Sequence, residues 1–142
     1  MISKSTKSAI KAVIYLVRQS SEANKVLVRD MYQEIRVSEA YLAKLLQTLS
    51  RHGLVSSAKG RGGGFYLNAA NLEHSLMDVV RVIDGKESVE ACVLGIRECS
   101  EVQPCAVHHV LGPAKADFNT ALYQTRFRDL AQPESSPFDF PM

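Results

Sequence analysis

No run of apolar residues in this chain of 142 approaches the length a membrane span needs; Ala12–Val17 is among the longest, against the roughly 20 residues required. The first residues also lack the hydrophobic stretch of a secretory signal, so a cytoplasmic protein without a membrane partner is expected. Cysteine is scarce and odd in number, with three residues all between Cys92 and Cys105. In a reducing compartment such a cluster points to metal or redox chemistry over structural bridging. Nor is a staple needed, since a chain this long buries a core as one domain plus an appendage. There are no internal repeats. The run Gly60-Arg61-Gly62-Gly63-Gly64 has no Gly-Lys-Ser/Thr ending and no helix directly after it, which excludes a nucleotide-binding phosphate loop. No cofactor motif or catalytic constellation is visible, so an enzyme is not expected; a redox enzyme built on the cysteines is the weakest alternative.

What is present is an asymmetry of charge. Residues 1–67 hold 11 Lys/Arg against 4 Asp/Glu, whereas residues 68–142 hold 6 against 11, although the whole chain carries only +2. A basic first half followed by an acidic second half suits one half meeting phosphates and the other meeting protein or solvent.

Apolar periodicity places the elements. Ile10, Val13, Ile14 and Val17 make one stripe of a helix spanning Lys4 to Ala23. Val26–Val28 suits a small strand, and a short helix follows from Arg29 to about Arg36. Ser38 is a good N-cap for a third helix, buried through Leu42, Leu45, Leu46 and Leu49 and stopped by Gly53. Leu54–Ser57 and Phe65–Leu67 read as strands joined by the glycine-rich segment 58–64. Ser75 and Asp78 form a capping box before a stripe of Leu76, Val79, Val80 and Ile83. Lys86–Gln103 shows no helical period. Pro104 suits a first helical turn, and Val107, Val110, Leu111, Ala114, Phe118 and Leu122 trace a long seam toward Leu130, which Gly112-Pro113 is expected to kink or restart. A proline-bearing tail closes the chain.

Three helices and a two-stranded hairpin form a winged helix-turn-helix, a mainly α fold with a small β-hairpin wing and here a long C-terminal dimerisation helix. In that arrangement the third helix enters the major groove and the hairpin touches the flanking backbone. The expected division is 1–85 winged helix, 86–104 cysteine loop, 105–131 dimerisation helix and 132–142 flexible tail. Expected contacts with double-stranded DNA are Ser38, Ala40, Tyr41, Lys44 and Gln47 from the third helix and Lys59 and Arg61 from the wing. The glycines would let the wing approach phosphates without bulk. A homodimer on a pseudo-palindromic operator follows, held by the seam from Val107 to Leu122.

Gly53-Leu54-Val55-Ser56-Ser57-Ala58-Lys59-Gly60-Arg61-Gly62-Gly63-Gly64-Phe65-Tyr66-Leu67 and Ser38-Glu39-Ala40-Tyr41-Leu42, followed by three cysteines, resemble the IscR/NsrR-type family of bacterial winged-helix regulators over residues 1 to about 130. Many members carry an iron-sulphur cluster, so the resemblance implies one here, two-iron in preference to four-iron. Its ligands would be Cys92, Cys99 and Cys105, spaced Cys-x6-Cys-x5-Cys, with His108 as the fourth and His109 its competitor. Cys105 just after Pro104 would sit at a helix start, where unpaired amides favour the thiolate, and His108 would share its helical face. Operator binding would then respond to redox state, iron-sulphur status or nitric oxide. Lys7 stands where some nitric-oxide-sensing members place an acidic ligand, and Ala40, Ala43 and Lys44 differ from the iron-sulphur-assembly regulators, so neither that ligand nor their operator transfers. The alternative is a cluster-free regulator sensing through thiol oxidation, zinc or a metabolite; the cysteine intervals are longer than structural zinc sites usually use.

Overall fold

The computed structural model describes residues 2–91, 93–94 and 100–131. Helix α1 (Lys4–Gln19) begins where Ser3 Oγ accepts the Thr6 amide at 3.0 Å. Asp84, the last residue of α4 (Leu76–Asp84), accepts from the Ser3 amide at 3.1 Å and from its hydroxyl. A carboxylate at the positive end of α1 thus joins two helices far apart in sequence, an arrangement worth about 0.3–1 kcal/mol. Helix α1 stops at Gln19, short of the expected Ala23. Its buried line is Ala9, Ala12, Val13 and Leu16, displaced from the expected stripe, in which Ile10 and Val17 are only half-buried.

Val26 is bridged to Phe65 rather than forming a strand of its own, with Val26 N–H to Phe65 O at 2.9 Å and the return bond at 2.8 Å. Helix α2 (Val28–Ile35) buries Met31 and Ile35 and ends on Arg36, whose φ of 59° lies in the left-handed region. Helix α3 (Glu39–Arg51) starts as expected from Ser38, whose Oγ accepts the Tyr41 amide at 3.2 Å. Leu42, Leu45, Leu46 and Leu49 are all buried, each contributing roughly 1.5–3 kcal/mol of transfer free energy.

The hairpin pairs β1 (Ser56–Ala58) antiparallel with β2 (Gly64–Tyr66), placing Ser57 opposite Phe65. Both strands are shifted from the sequence expectation because Leu54, Val55 and Leu67 are spent in the core. Its glycines answer to the hairpin itself. A Cβ on Gly63 would stand 2.3 Å from Ala58 O, and one on Gly64 2.7 Å from Val26 O.

Past a 3-10 turn at Asn71–Glu73, the Ser75–Asp78 capping box forms as expected and starts α4. A short helix α5 (Lys86–Glu90) occupies sequence in which no helix was expected; five residues are too few to display a period. Helix α6 (His108–Gln124) contains Pro113, begins four residues after Pro104, and ends well before Leu130. Phe118 and Leu122 then cover Met77 and Val80 of the same chain, so the expected seam is split, while Val110, Ala114 and Ala121 remain exposed. A final 3-10 turn, Phe127–Ala131, returns to the head. There Phe127 is wholly buried in the main core, its N–H bonded to His74 O at 2.9 Å, and Leu76 N–H bonds Thr125 O at 3.0 Å. No described helix is long and apolar enough to cross a membrane. The expected tail, 132–142, lies outside the described residues.

Candidate nucleic-acid interface and cysteine segment

The leucines of α3 commit one face to the core, so helical geometry turns Ala40, Lys44, Gln47 and Arg51 outward, and all four are exposed. Lys59 and Arg61 at the wing tip are exposed as well. Neither they nor Lys44 form an ion pair among the described residues, which leaves three cations available to an external anion. Ser50 Oγ lies 3.1 Å from Ser57 Oγ and ties the end of α3 to β1. Between them runs a cleft of about 450 Å³ bordered by Gln47, Arg51, Ser57, Lys59 and Phe65. A second cleft on the other flank of α3 is bordered by Arg29, Glu39, Ala40 and Ala43, where the two alanines leave room for a close approach.

Two expected contacts serve the fold. Ser38 Oγ caps α3, and the hydroxyl of half-buried Tyr41 is 2.5 Å from Ser5 Oγ on α1. Two asparagines were missed. Asn71 is 4% exposed; its carbonyl oxygen accepts from Ser56 Oγ at 2.7 Å and the Asn68 amide at 2.9 Å, and its Nδ2 donates to Gly53 O at 3.0 Å. Asn68 Oδ1 returns a bond from the Asn71 amide at 2.8 Å. This pair fixes both ends of the hairpin to the end of α3, so the wing is held at a set angle to the helix. The Asn-x-x-Asn spacing directly after a strand was the available signal. Arg51, bonded to Thr48 Oγ1 at 3.3 Å, is a further cation on the cleft.

Of the expected cluster ligands, Cys92 and Cys99 lie outside the described residues. Cys105 is half-buried and precedes α6 instead of opening it; its carbonyl accepts the His108 amide at 3.1 Å. The two therefore share a turn, not a helical face, and the first-turn amides of α6 at His108, Val110 and Leu111 are taken by the Cys105 and Val107 carbonyls. His108 is half-buried, its ring along α6 about 3.4 Å from where a Gly112 Cβ would stand. It borders a cleft with His109, Glu90 and Glu101. Among the described residues no three His, Cys, Asp or Glu side chains come together in a way that could hold a metal ion.

A trihelical head with a pinned wing, an exposed polar face on its third helix and a returning C-terminal helix is a winged-helix regulator. Residues 2–133 match the Rrf2 family, described as an iron-dependent transcriptional regulator, and the chain belongs to that family. It is 28% identical over 132 residues to a putative HTH-type transcriptional regulator of Aquifex aeolicus, covering 92% of this chain and 90% of that one. It is 33% identical over 93 residues to the HTH-type transcriptional regulator IscR of Escherichia coli, covering 65% of this chain and 56% of IscR. Among solved structures, CymR, the global cysteine regulator of B. subtilis, matches with a TM-score of 0.74 at 24% identity over 92% of this chain and 95% of that one. T. potens IscR matches at 0.69 and 21%, over 96% and 92%. At these identities the two structures show the fold.

Proposed function

We propose that this transcriptional regulator acts by binding double-stranded DNA as a homodimer, with α3 in the major groove and the wing on flanking phosphates. The observation that carries this reading is the pairing of an exposed, unpaired set of cations, Lys44, Lys59 and Arg61, with a hairpin fixed to the end of α3. Phosphate contacts from the wing give affinity, and Ala40, Lys44, Gln47 and Arg51 face the base edges. Tyr41 contributes its half-exposed ring while its hydroxyl holds the helix. The dimer forms through the outward face of α6, at Val110, Ala114 and Ala121, because Phe118 and Leu122 are occupied by their own head. Two such heads read a pseudo-palindromic operator in the cytoplasm.

The segment from Cys92 to His108 is the sensor. An iron-sulphur cluster fits its donor types, a half-buried thiol one turn ahead of the imidazole that opens α6 plus two further cysteines, and Cys92, Cys99, Cys105 and His108 would hold it. A two-iron cluster bound there would supply a redox-responsive charge to that segment. The chain's own part is to connect that segment to the head, through α6 and the returning Phe127. Selection from random duplexes tests the DNA reading: enrichment of inverted half-sites one or two helical turns apart, roughly 10 or 20 base pairs, is expected. Recovery of no shared sequence contradicts it. Anaerobic purification with iron and sulphide analysis tests the cluster; brown protein supports it, and colourless protein with stoichiometric zinc, or with neither metal, supports the cluster-free regulator.

A further inference from the structure

We propose that a part-open cavity between α4, α5 and α6 is a binding site for a small aliphatic carboxylate. The cavity measures about 200 Å³, somewhat more than the roughly 150 Å³ that admits a benzene ring. Its apolar lining includes Ile2, Val80, Val89, Val93, Phe118 and Leu122. Such walls favour an apolar chain of six or so carbons.

One side of the cavity is polar. Lys115 and Asn119 stand one turn apart on α6 and both border it. The Lys115 ammonium donates to the Ala91 carbonyl and forms no ion pair among the described residues. The Asn119 side-chain amide has no hydrogen-bond partner among them. A half-buried ammonium that has only a neutral acceptor gains most from a carboxylate, which offers it a charge-assisted bond and accepts from the adjacent amide as well. Lys115 and Asn119 also border the cleft of Glu90, Glu101 and His108. Those acids restrict the site to a single carboxylate whose tail points away from them, into the apolar walls.

The position matters for regulation. Binding draws the ammonium off the Ala91 carbonyl, and Ala91 immediately precedes Cys92. A carboxylate and the sensor segment would thus influence each other through one side chain, whether or not a cluster is present. The site itself does not depend on DNA binding.

The test is titration of the full-length protein with hexanoate, using 1-hexanol and hexylamine as controls, followed by calorimetry and by methyl NMR of Val80, Val89 and Leu122. Saturable hexanoate binding is expected, with shifts at those methyls. Hexanol and Lys115→Met should each weaken it about tenfold or more, and Lys115→Arg should retain most of it. The methyl spectrum of Lys115→Met without ligand shows whether the variant is folded, so a misfolded protein is not mistaken for lost binding. Absence of saturation up to about 10 mM, hexanol binding as tight as hexanoate, or shifts confined to other methyls would each overturn the proposal.

Discussion

Tyr41 on α3 and Ser5 on α1 share a hydrogen bond of 2.5 Å between their hydroxyls. The first turn of the helix assigned to the major groove is thereby held against the first turn of the helix that carries the core. Tyr41→Phe keeps the ring and removes the bond, so a stability loss of about 0.5–1.5 kcal/mol is expected. Operator and unrelated DNA should weaken by equal factors. A changed preference between two sequences would show that the hydroxyl reads a base instead.

The second prediction concerns the turn between α2 and α3. Arg36 holds φ 59°, a conformation costing a residue with a Cβ about 1–2 kcal/mol. Part of that cost is recovered by glycine after its larger unfolded-state entropy is counted, so Arg36→Gly should stabilise by up to about 1 kcal/mol. Arg36→Val should destabilise by more than that. Urea unfolding of the three proteins gives the ordering, and Gly below wild type would contradict it.

Much of the head was legible because its signals are local. Ser38, Ser75 and Asp78 cap their own helices, and the four leucines of α3 repeat at helical spacing. Less legible were features set by size and by distant partners. The buried line of α1 runs through Ala9 and Ala12, whose small side chains let neighbouring helices approach closely, whereas a stripe chosen by hydrophobic weight centres on Ile10 and Ile14. The end of α6 was missed because Phe127 belongs to the head core, and no periodic pattern reports that the chain turns back after Gln124. At the wing the glycines were visible, but their cause was not: Gly64 is required by Val26, nearly 40 residues earlier. For the sensor, spacing identified the cysteines but not their arrangement, and Cys105 proved to lie outside the helix it precedes.

Phe127 and Arg128 make a contrasting pair. Phe127 is wholly buried between α1 and the turn before α4, so Phe127→Ala should cost about 3–5 kcal/mol. Arg128 meets Glu73 at 2.7 Å, yet both side chains are more than half exposed, and Arg128→Gln should cost under about 1 kcal/mol. Thermal unfolding distinguishes them, and equal losses would mean that the returning turn is held by charge.

Acid stability follows from Asp78. Burial pushes its carboxyl up, but the Ser75 amide and the His74 ring outweigh burial and hold it below the ordinary 3.8. A depressed folded-state value contributes stability that is present above the unfolded value and lost as pH falls through the folded one. Wild type should therefore lose stability below about pH 4. Asp78→Asn should be less stable at neutral pH and show a flatter acid limb. An unchanged limb would remove Asp78 from the account.

The contact between wing and DNA is tested most directly by equilibrium binding across a salt series. Wild type and the Lys59→Ala/Arg61→Ala double variant are compared on a selected operator and on an unrelated duplex. Both duplexes should bind the variant more weakly, and the slope of log affinity against log salt should become shallower by roughly two units, one for each lost phosphate contact. Equal affinities and parallel slopes for the two proteins would contradict the proposed interface.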